Sequence, residues 1–411
     1  MSAPAAAAPE KVTTGAHEAP VARPITPFER LGLSGRALSI ANWLGVVAAV
    51  YVLITAVHVI GDGFGIATGG HAETLFDFAT NPLVALMVGV AATVLTQSSS
   101  TTTSVTVGLV AGGLPLSIAI PVILGANLGT TLTNTLVSLG MVRDQAAFRR
   151  GFAAATVHDF FNLLAVAIFL PLEMAFGLLE QLATALADPL SGTDGGPLAA
   201  IFGGLGSVIK GATTPLAEGI TASLGWLPPL WQGLVMIGVA VALILLVINL
   251  IGRLLKVLMV GKARAVLHAA MGRGPLAGIG SGALMTVMVQ SSSTSTALMV
   301  PLAGSGTLSL RQIYPFTLGA NIGTTVTALI SAFAFDGPEA RVALIAALAH
   351  LLFNVLATAL IFGIPGLRDL PLRAASRLAD VAAEKKLYAA GWVVGIFLVL
   401  PLGLIAVTAI V

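Results

Sequence analysis

Gln97-Ser98-Ser99-Ser100-Thr101-Thr102-Thr103 returns, in an otherwise apolar chain, as Gln290-Ser291-Ser292-Ser293-Thr294-Ser295-Thr296, identical at six of seven positions. A second shared string follows each copy, Gly125-Ala126-Asn127-Leu128-Gly129-Thr130-Thr131-Leu132-Thr133 and Gly319-Ala320-Asn321-Ile322-Gly323-Thr324-Thr325-Val326-Thr327. A third echo pairs His158-Asp159-Phe160-Phe161-Asn162 with His350-Leu351-Leu352-Phe353-Asn354. The offsets are 193, 194 and 192 residues, so one unit of sequence is used twice. Each Gln-Ser-Ser-Ser copy sits between apolar arms of only 12–15 residues, in segments 82–112 and 276–306. An arm of that length reaches about 22 Å at most, short of the roughly 30 Å of hydrocarbon it would have to cross. Both segments therefore read as re-entrant hairpins that enter and leave on one side. Hydroxyls and amides repeated at membrane depth point to a solute site built by two halves.

The composition supports a membrane setting. Of 411 residues, 56% are hydrophobic and 9% charged, too few charges to cover a soluble domain of this size. The reading is an all-α polytopic membrane protein whose partner is the lipid bilayer. Forty-six glycines and 21 prolines suit close helix contacts and interrupted helices. No cysteine is present, which excludes disulfides and thiol chemistry, and the six histidines show no zinc-ligand spacing. The net charge of +2 is spread over short loops, so nucleic acid is not an expected partner. There is no nucleophile–base pairing, metal triad or nucleotide loop, which disfavours an enzyme, an ATPase included. No cofactor and no obligatory protein partner are expected.

Full-length apolar spans lie at 38–60, 151–173, 231–251, 342–363 and 389–411, and two more, 115–140 and 309–332, contain the Gly-Ala-Asn strings. With the N-terminus inside, 18 of the 20 basic residues fall on the cytoplasmic side, leaving only Lys210 and Arg341 outside. Counting the hairpins as single crossings would scramble that asymmetry. Three crossings separate the two hairpins, so the second enters from the opposite face: two inverted repeats. The expected organisation is a disordered cytoplasmic tail (1–36), then the first span and repeat 1 (37–176), with hairpin 82–112, broken helix 115–140 and span 151–173. An external loop (177–230) comes next, with amphipathic pieces at 178–186 and 205–212 and breaks at Pro215, Pro228 and Pro229. A linking span and basic loop (231–275) lead to repeat 2 (276–364), with hairpin 276–306, broken helix 309–332 and span 342–363. A basic loop and final span (365–411) close the chain. The tail has no signal-peptide pattern, so the first span serves as an uncleaved signal into the plasma (inner) membrane. The odd number of crossings places the C-terminus outside.

The chemistry of the strings is set by their atoms. Serine and threonine are good N-caps, so the second arm of each hairpin starts among hydroxyls, and its first-turn N–H groups and dipole favour an anion. Gln97, Ser98, Ser99, Ser100 and Thr101 with Ser291, Ser292, Ser293 and Thr294 are thus the candidate cradle for one tetrahedral oxyanion. Neither string holds a Lys or Arg, so the compensating charge is expected from co-bound cations. In the Gly-Ala-Asn strings, glycines would permit an unwound turn that exposes carbonyl oxygens, while Asn127, Asn321 and the threonines add neutral oxygens suited to sodium. The same glycines could instead be packing notches. Asp159 is the one acidic residue well inside a span, and it shares a helical face with Asn162. His158 and His350 read as hydrogen-bonded structural residues rather than proton carriers. Asp144, near the basic loop, could equally be an ordinary partner of Arg149.

At these residues the chain resembles the type II sodium-coupled phosphate cotransporter family, over roughly residues 38–400. The resemblance implies inorganic phosphate bound by both hairpin tips and sodium as co-substrate. Gln290, Ser291, Thr324 and Thr327 match its sodium-site positions, and Asp144, Asn162 and Asn354 match a further cation site. Asp159 matches the aspartate that distinguishes electrogenic members from electroneutral ones, which have glycine there. Met141 is apolar where the family suggests an amide. The cysteines and glycosylation sequon of the animal members' external loop are missing, and so is their additional last span; these departures fit a bacterial-type member. The expected function is sodium-coupled import of inorganic phosphate by alternating access. The alternatives are a carrier for another tetrahedral oxyanion, such as sulfate or arsenate, and a phosphate-permeable channel.

Overall fold

The computed structural model describes residues 25–69, 81–191, 197–270 and 273–410, and the described residues are helical with short connections. Seven helices are long and apolar enough to cross a bilayer: Gly35–Thr68, Leu116–Leu139, Gln145–Phe176, Pro229–Met259, Leu310–Ala332, Gly337–Phe362 and Leu387–Thr408. Each overlaps one of the seven spans expected from the sequence. Two shorter apolar helices, Pro82–Thr96 and Pro275–Val289, are the first arms of the expected hairpins.

Each first arm stops at its glutamine. Gln97 and Gln290 both take φ 53°, and among the described residues they are the non-glycine positions with positive φ. A left-handed turn costs a residue with a Cβ about 1–2 kcal/mol, and it appears at the same place in both copies. The glutamine offsets part of that cost by capping its own arm: Gln97 Nε2 donates to Val94 O at 2.6 Å and Gln290 Nε2 to Val287 O at 2.8 Å. The next residue then N-caps the second arm. Ser98 Oγ accepts from Thr101 N at 3.2 Å, and Ser291 Oγ accepts from Thr294 N at 3.1 Å. In the first hairpin Thr93 donates to the Thr102 hydroxyl at 2.9 Å, tying the arms together at the tip.

The Gly-Ala-Asn segments differ from expectation. Leu310–Ala332 is one continuous helix, and Leu116–Gly129 and Leu132–Leu139 are separated only by Thr130 and Thr131, both of right-handed helical backbone. These glycines are contact points. A Cβ on Gly125 would lie 1.9 Å from Leu86 O, and one on Gly89 2.0 Å from Val122 O, so the first arm and the following helix cross with their backbones almost touching. The second half repeats this, with Gly319 against Ile279 O at 1.9 Å and Gly282 against Phe316 O at 2.0 Å. Small residues at a crossing allow the van der Waals contact that drives helix association in lipid.

The halves also interlock. Ser331 of the second half donates to Ser104 of the first hairpin at 2.8 Å, and Thr296 of the second hairpin donates to Asn134 of the first half at 3.0 Å. The largest buried apolar cluster joins Gly35–Thr68 and Pro229–Ala270 with the second arm of the first hairpin and both second-half helices. Among the described residues of 177–230 are two helices, Leu178–Ser191 and Pro197–Ser223; the second runs through Pro215 without breaking and places Ala217 in this core. Leu179, Ala183 and Ala187 make the buried stripe of the first. Lys210 and Arg341, the two exceptions to the charge asymmetry, are each neutralised, Lys210 by Asp336 and Arg341 by Asp188.

Only 1–24 of the expected tail lies outside the described residues. Beyond it Thr26 and Glu29 form a reciprocal capping box on the short helix Pro27–Arg30, and Phe28 lies against Gly45. The Thr-Pro-Phe-Glu string carries that signal, so part of the stretch expected to be a disordered tail is a capped helix.

Candidate functional site

Both tips open on one cavity of about 380 Å³. Its wall contains Gln97, Ser98, Ser99 and Ser100 from the first tip and Gln290, Ser291, Ser292, Ser293 and Thr294 from the second. Thr101, expected in the cradle, sits behind that wall, almost wholly buried, with its hydroxyl turned to Ser98 at 3.0 Å. The hydroxyls of Ser99, Ser100, Ser292 and Ser293 make no hydrogen bond within the described structure, although Ser99, Ser100 and Ser292 are buried. As the first two residues of their helices, these serines also have N–H groups without intrahelical acceptors. Four free hydroxyls and two helix starts facing one space form a donor set suited to an oxyanion.

The third wall comes from outside the repeated strings. Asn249, Gly252, Arg253 and Lys256 of Pro229–Ala270 line the same cavity, and among the described residues no carboxylate does. The expectation of a site without fixed positive charge is therefore corrected: two basic side chains stand beside the tips. Asn249, Arg253 and Lys256 are spaced as one face of a helix, a polar stripe in an apolar segment. Read only as charges beside a membrane, Arg253 and Lys256 looked like markers of topology.

Behind each tip the glutamine meets a threonine of the Gly-Ala-Asn helix. Thr133 donates to Gln97 Oε1 at 3.1 Å and Thr327 to Gln290 Oε1 at 3.0 Å, the same pair in both halves. Thr324, one turn earlier, gives its hydroxyl to Ala320 O at 3.0 Å. The structure thus brings together Gln290, Ser291 and Thr327, with Thr324 adjacent along the helix.

The four asparagines lie elsewhere, in a fully buried brace. Asn127 Nδ2 donates to Asn354 Oδ1 at 2.8 Å, and Asn321 Nδ2 donates to Asn162 Oδ1 at 2.8 Å. Asn162 Nδ2 returns to Asn127 O at 2.9 Å. His158 meets Asn321 Oδ1 at 2.6 Å and His350 meets Asn127 Oδ1 at 3.4 Å. Each half's Gly-Ala-Asn asparagine thus binds the histidine and asparagine of the other half. Every amide oxygen of the four already accepts an N–H or faces a histidine nitrogen, and none of the four lines the tip cavity. The two histidines are structural partners here, as read from the sequence.

Asp144 and Asp159 go separate ways. Asp144 N-caps Gln145–Phe176, its Oδ1 accepting from Ala146 N and Ala147 N at 3.0 Å, while Arg149 pairs with Asp380. Eighteen helical residues separate Asp144 from Asn162, about 27 Å at 1.5 Å per residue, so the two cannot share one ion. Asp159 is fully buried and accepts from Trp392 Nε1 at 2.7 Å through Oδ2. The other oxygen, Oδ1, has no hydrogen-bond partner; the Thr131 hydroxyl is directed to Leu128 O. Asp159 and Asn162 therefore face different neighbours, and Trp392 on the last helix had no signal in the sequence. Met141, noted as apolar, packs into a notch between Gly151 and Gly304.

The sequence model of the Na+/Pi-cotransporter family matches residues 52–186 and 243–364, which include both tips and both halves of the brace. The chain is 32% identical over 419 residues to sodium-dependent phosphate transport protein 2A of Ovis aries, covering 86% of this chain and 65% of that protein. It is 31% identical over 455 residues to sodium-dependent phosphate transport protein 2B of Bos taurus, covering 90% and 65%. The chain thus spans about two thirds of the length of these relatives, just under that fraction. No solved structure matches it significantly. The family match takes in more than half of the chain and runs through every repeated string, and on that basis this multi-pass membrane protein belongs to the Na+/Pi-cotransporter family.

Proposed function

We propose that the protein imports inorganic phosphate by sodium-coupled alternating access in the plasma (inner) membrane, around the cavity between the two Gln-Ser-Ser-Ser tips. One observation carries this reading: both tips present free serine hydroxyls to one space that also holds Arg253 and Lys256. A buried phosphate dianion needs nearly full charge compensation, and two basic side chains with co-bound sodium supply it. Sodium is assigned to the oxygens at Gln290, Ser291, Thr324 and Thr327, supported by the 3.0 Å approach of the Thr327 hydroxyl to Gln290 Oε1. A sodium ion could sit between those two oxygens once the Thr327 O–H, still protonated, rotates away from Gln290. Gln97 and Thr133 form the corresponding pair in the first half. Asp159, with one oxygen unpartnered at membrane depth, is the place for an additional cation.

The repeats are taken as inverted, with the N-terminus inside and the C-terminus outside; the distribution of basic residues supports this orientation. The cycle is taken as electrogenic. At 100 mV each net charge moved contributes about 2.3 kcal/mol, enough to concentrate phosphate more than tenfold. The test is uptake of labelled phosphate into proteoliposomes under an inward sodium gradient, an inward potassium gradient or none. Accumulation above the outside concentration only with sodium is expected. Equilibration without accumulation would point to a channel, and preference for labelled sulfate to a different oxyanion carrier.

A further inference from the structure

Arg253 and Lys256 sit on the cavity wall with no ion-pair partner among the described residues, whereas Arg149, Lys210, Arg311, Arg341 and Arg373 each face an aspartate. They belong to Pro229–Ala270, which lies outside both repeated strings and packs along Gly35–Thr68. That partner helix holds the corresponding place before the first hairpin, yet beyond Arg36 it has no Lys or Arg, and its one carboxylate, Asp62, faces His58. The tips are near copies of one another; the charge that faces them is not. A cleft lined by one sign of charge focuses its field and raises the local concentration and capture rate of the opposite ion. Arg253 and Lys256 lie in the basic stretch 252–275, expected from its sequence to be a loop but helical as far as Ala270, so this cavity stands toward the side that the charge asymmetry assigns to the cytoplasm.

We infer that Arg253 and Lys256 are the counter-charge for phosphate chiefly in the cytoplasm-facing state, setting affinity on that side more than on the outer one. This inference rests on the function proposed above and adds to it a sidedness that the near-identical tips cannot supply. Purified full-length protein tests it first. Equilibrium binding of labelled phosphate is measured at constant sodium while choline chloride is raised. Wild-type affinity is expected to fall with ionic strength. In Arg253→Gln/Lys256→Gln, affinity at low salt is expected to fall about tenfold, the low end of such focusing, and its salt dependence to flatten. Arg253→Lys/Lys256→Arg should recover the salt dependence, which separates charge from fold. The second measurement uses right-side-out vesicles. There the neutralised variant should weaken inhibition of uptake by internal phosphate about tenfold, and by clearly more than it raises the KM for external phosphate.

A neutralised variant with wild-type affinity and salt dependence overturns the inference, and so does an equal rise in external KM. In either case Ser99→Ala/Ser292→Ala still removes binding if the tips hold phosphate. Tip variants that bind normally would instead sink the site itself, and with it this inference.

Discussion

Replacing Gly125 or Gly319 with alanine distinguishes two uses of the same glycines, as hinges of an unwound turn or as notches for a close crossing. The added Cβ would sit 1.9 Å from Leu86 O or Ile279 O, and within 3.0 Å of a carbonyl carbon and an amide nitrogen of the same arm. Every one of those atoms is backbone, so no rotamer change relieves the clash. The hairpin arm must withdraw by about an ångström, opening the crossing along its length. Overpacking of this kind costs about 1–3 kcal/mol and at times more. The helix-propensity gain of alanine over glycine, about 1 kcal/mol, offsets only part of it. Gly238 and Gly280 are built-in controls, because a Cβ there meets nothing within 4 Å. Thermal melting in detergent, followed by helical circular dichroism, should show Gly125→Ala and Gly319→Ala lowered by several degrees and the controls level or slightly raised. If both crossing variants melt like the wild type while sodium dependence changes, the glycines act as hinges and the packing argument is wrong.

Other expectations concern the brace, the buried aspartate and the tips. Asn321→Leu strands His158 Nε2 and one acceptor site of Asn162 in the core, and should cost about 1–3 kcal/mol for each orphaned group, read as lost thermal stability. Stability equal to wild type would mean that the brace contributes nothing. Trp392→Phe removes the hydrogen bond to Asp159 while keeping an aromatic ring beside Phe160, and should alter the apparent sodium affinity more than the melting temperature. An effect on melting alone would make Trp392 purely structural. Asp159→Gly should leave phosphate uptake but remove the phosphate-induced current; a persisting current would place the coupling charge elsewhere. Ser98→Ala removes an N-cap worth about 0.5–2 kcal/mol, so it should weaken binding by loosening the tip, and Ser98→Asn should restore part of it. Equal loss in both variants would show that the Ser98 hydroxyl contacts phosphate directly.

The hairpins were legible because two local signals agree. Arms too short to cross meet at a serine able to N-cap the second arm, and Ser98 and Ser291 do so. The left-handed glutamines were not legible, since glutamine does not announce positive φ as glycine does. The Gly-Ala-Asn strings misled for the opposite reason: glycine has the same letter whether it unwinds a helix or lets Leu86 O approach Gly125. Only the neighbour decides, and neighbours come from tertiary structure. Arg253 and Lys256 show the same limit, because a basic residue near a helix end reads as topology until the fold turns it toward Ser99 and Ser292. Asp144, by contrast, carries a readable N-cap signal ahead of Gln145, because an aspartate just before a helical run can accept from its first free N–H groups.

Everything else depends on the two tips making one site. Equilibrium binding of labelled phosphate to purified protein in saturating sodium tests this most directly. One phosphate per chain is expected, lost whether Ser99 and Ser100 or Ser292 and Ser293 are changed to alanine. Two phosphates per chain, or a variant set that removes half of the binding and leaves the rest intact, would contradict it.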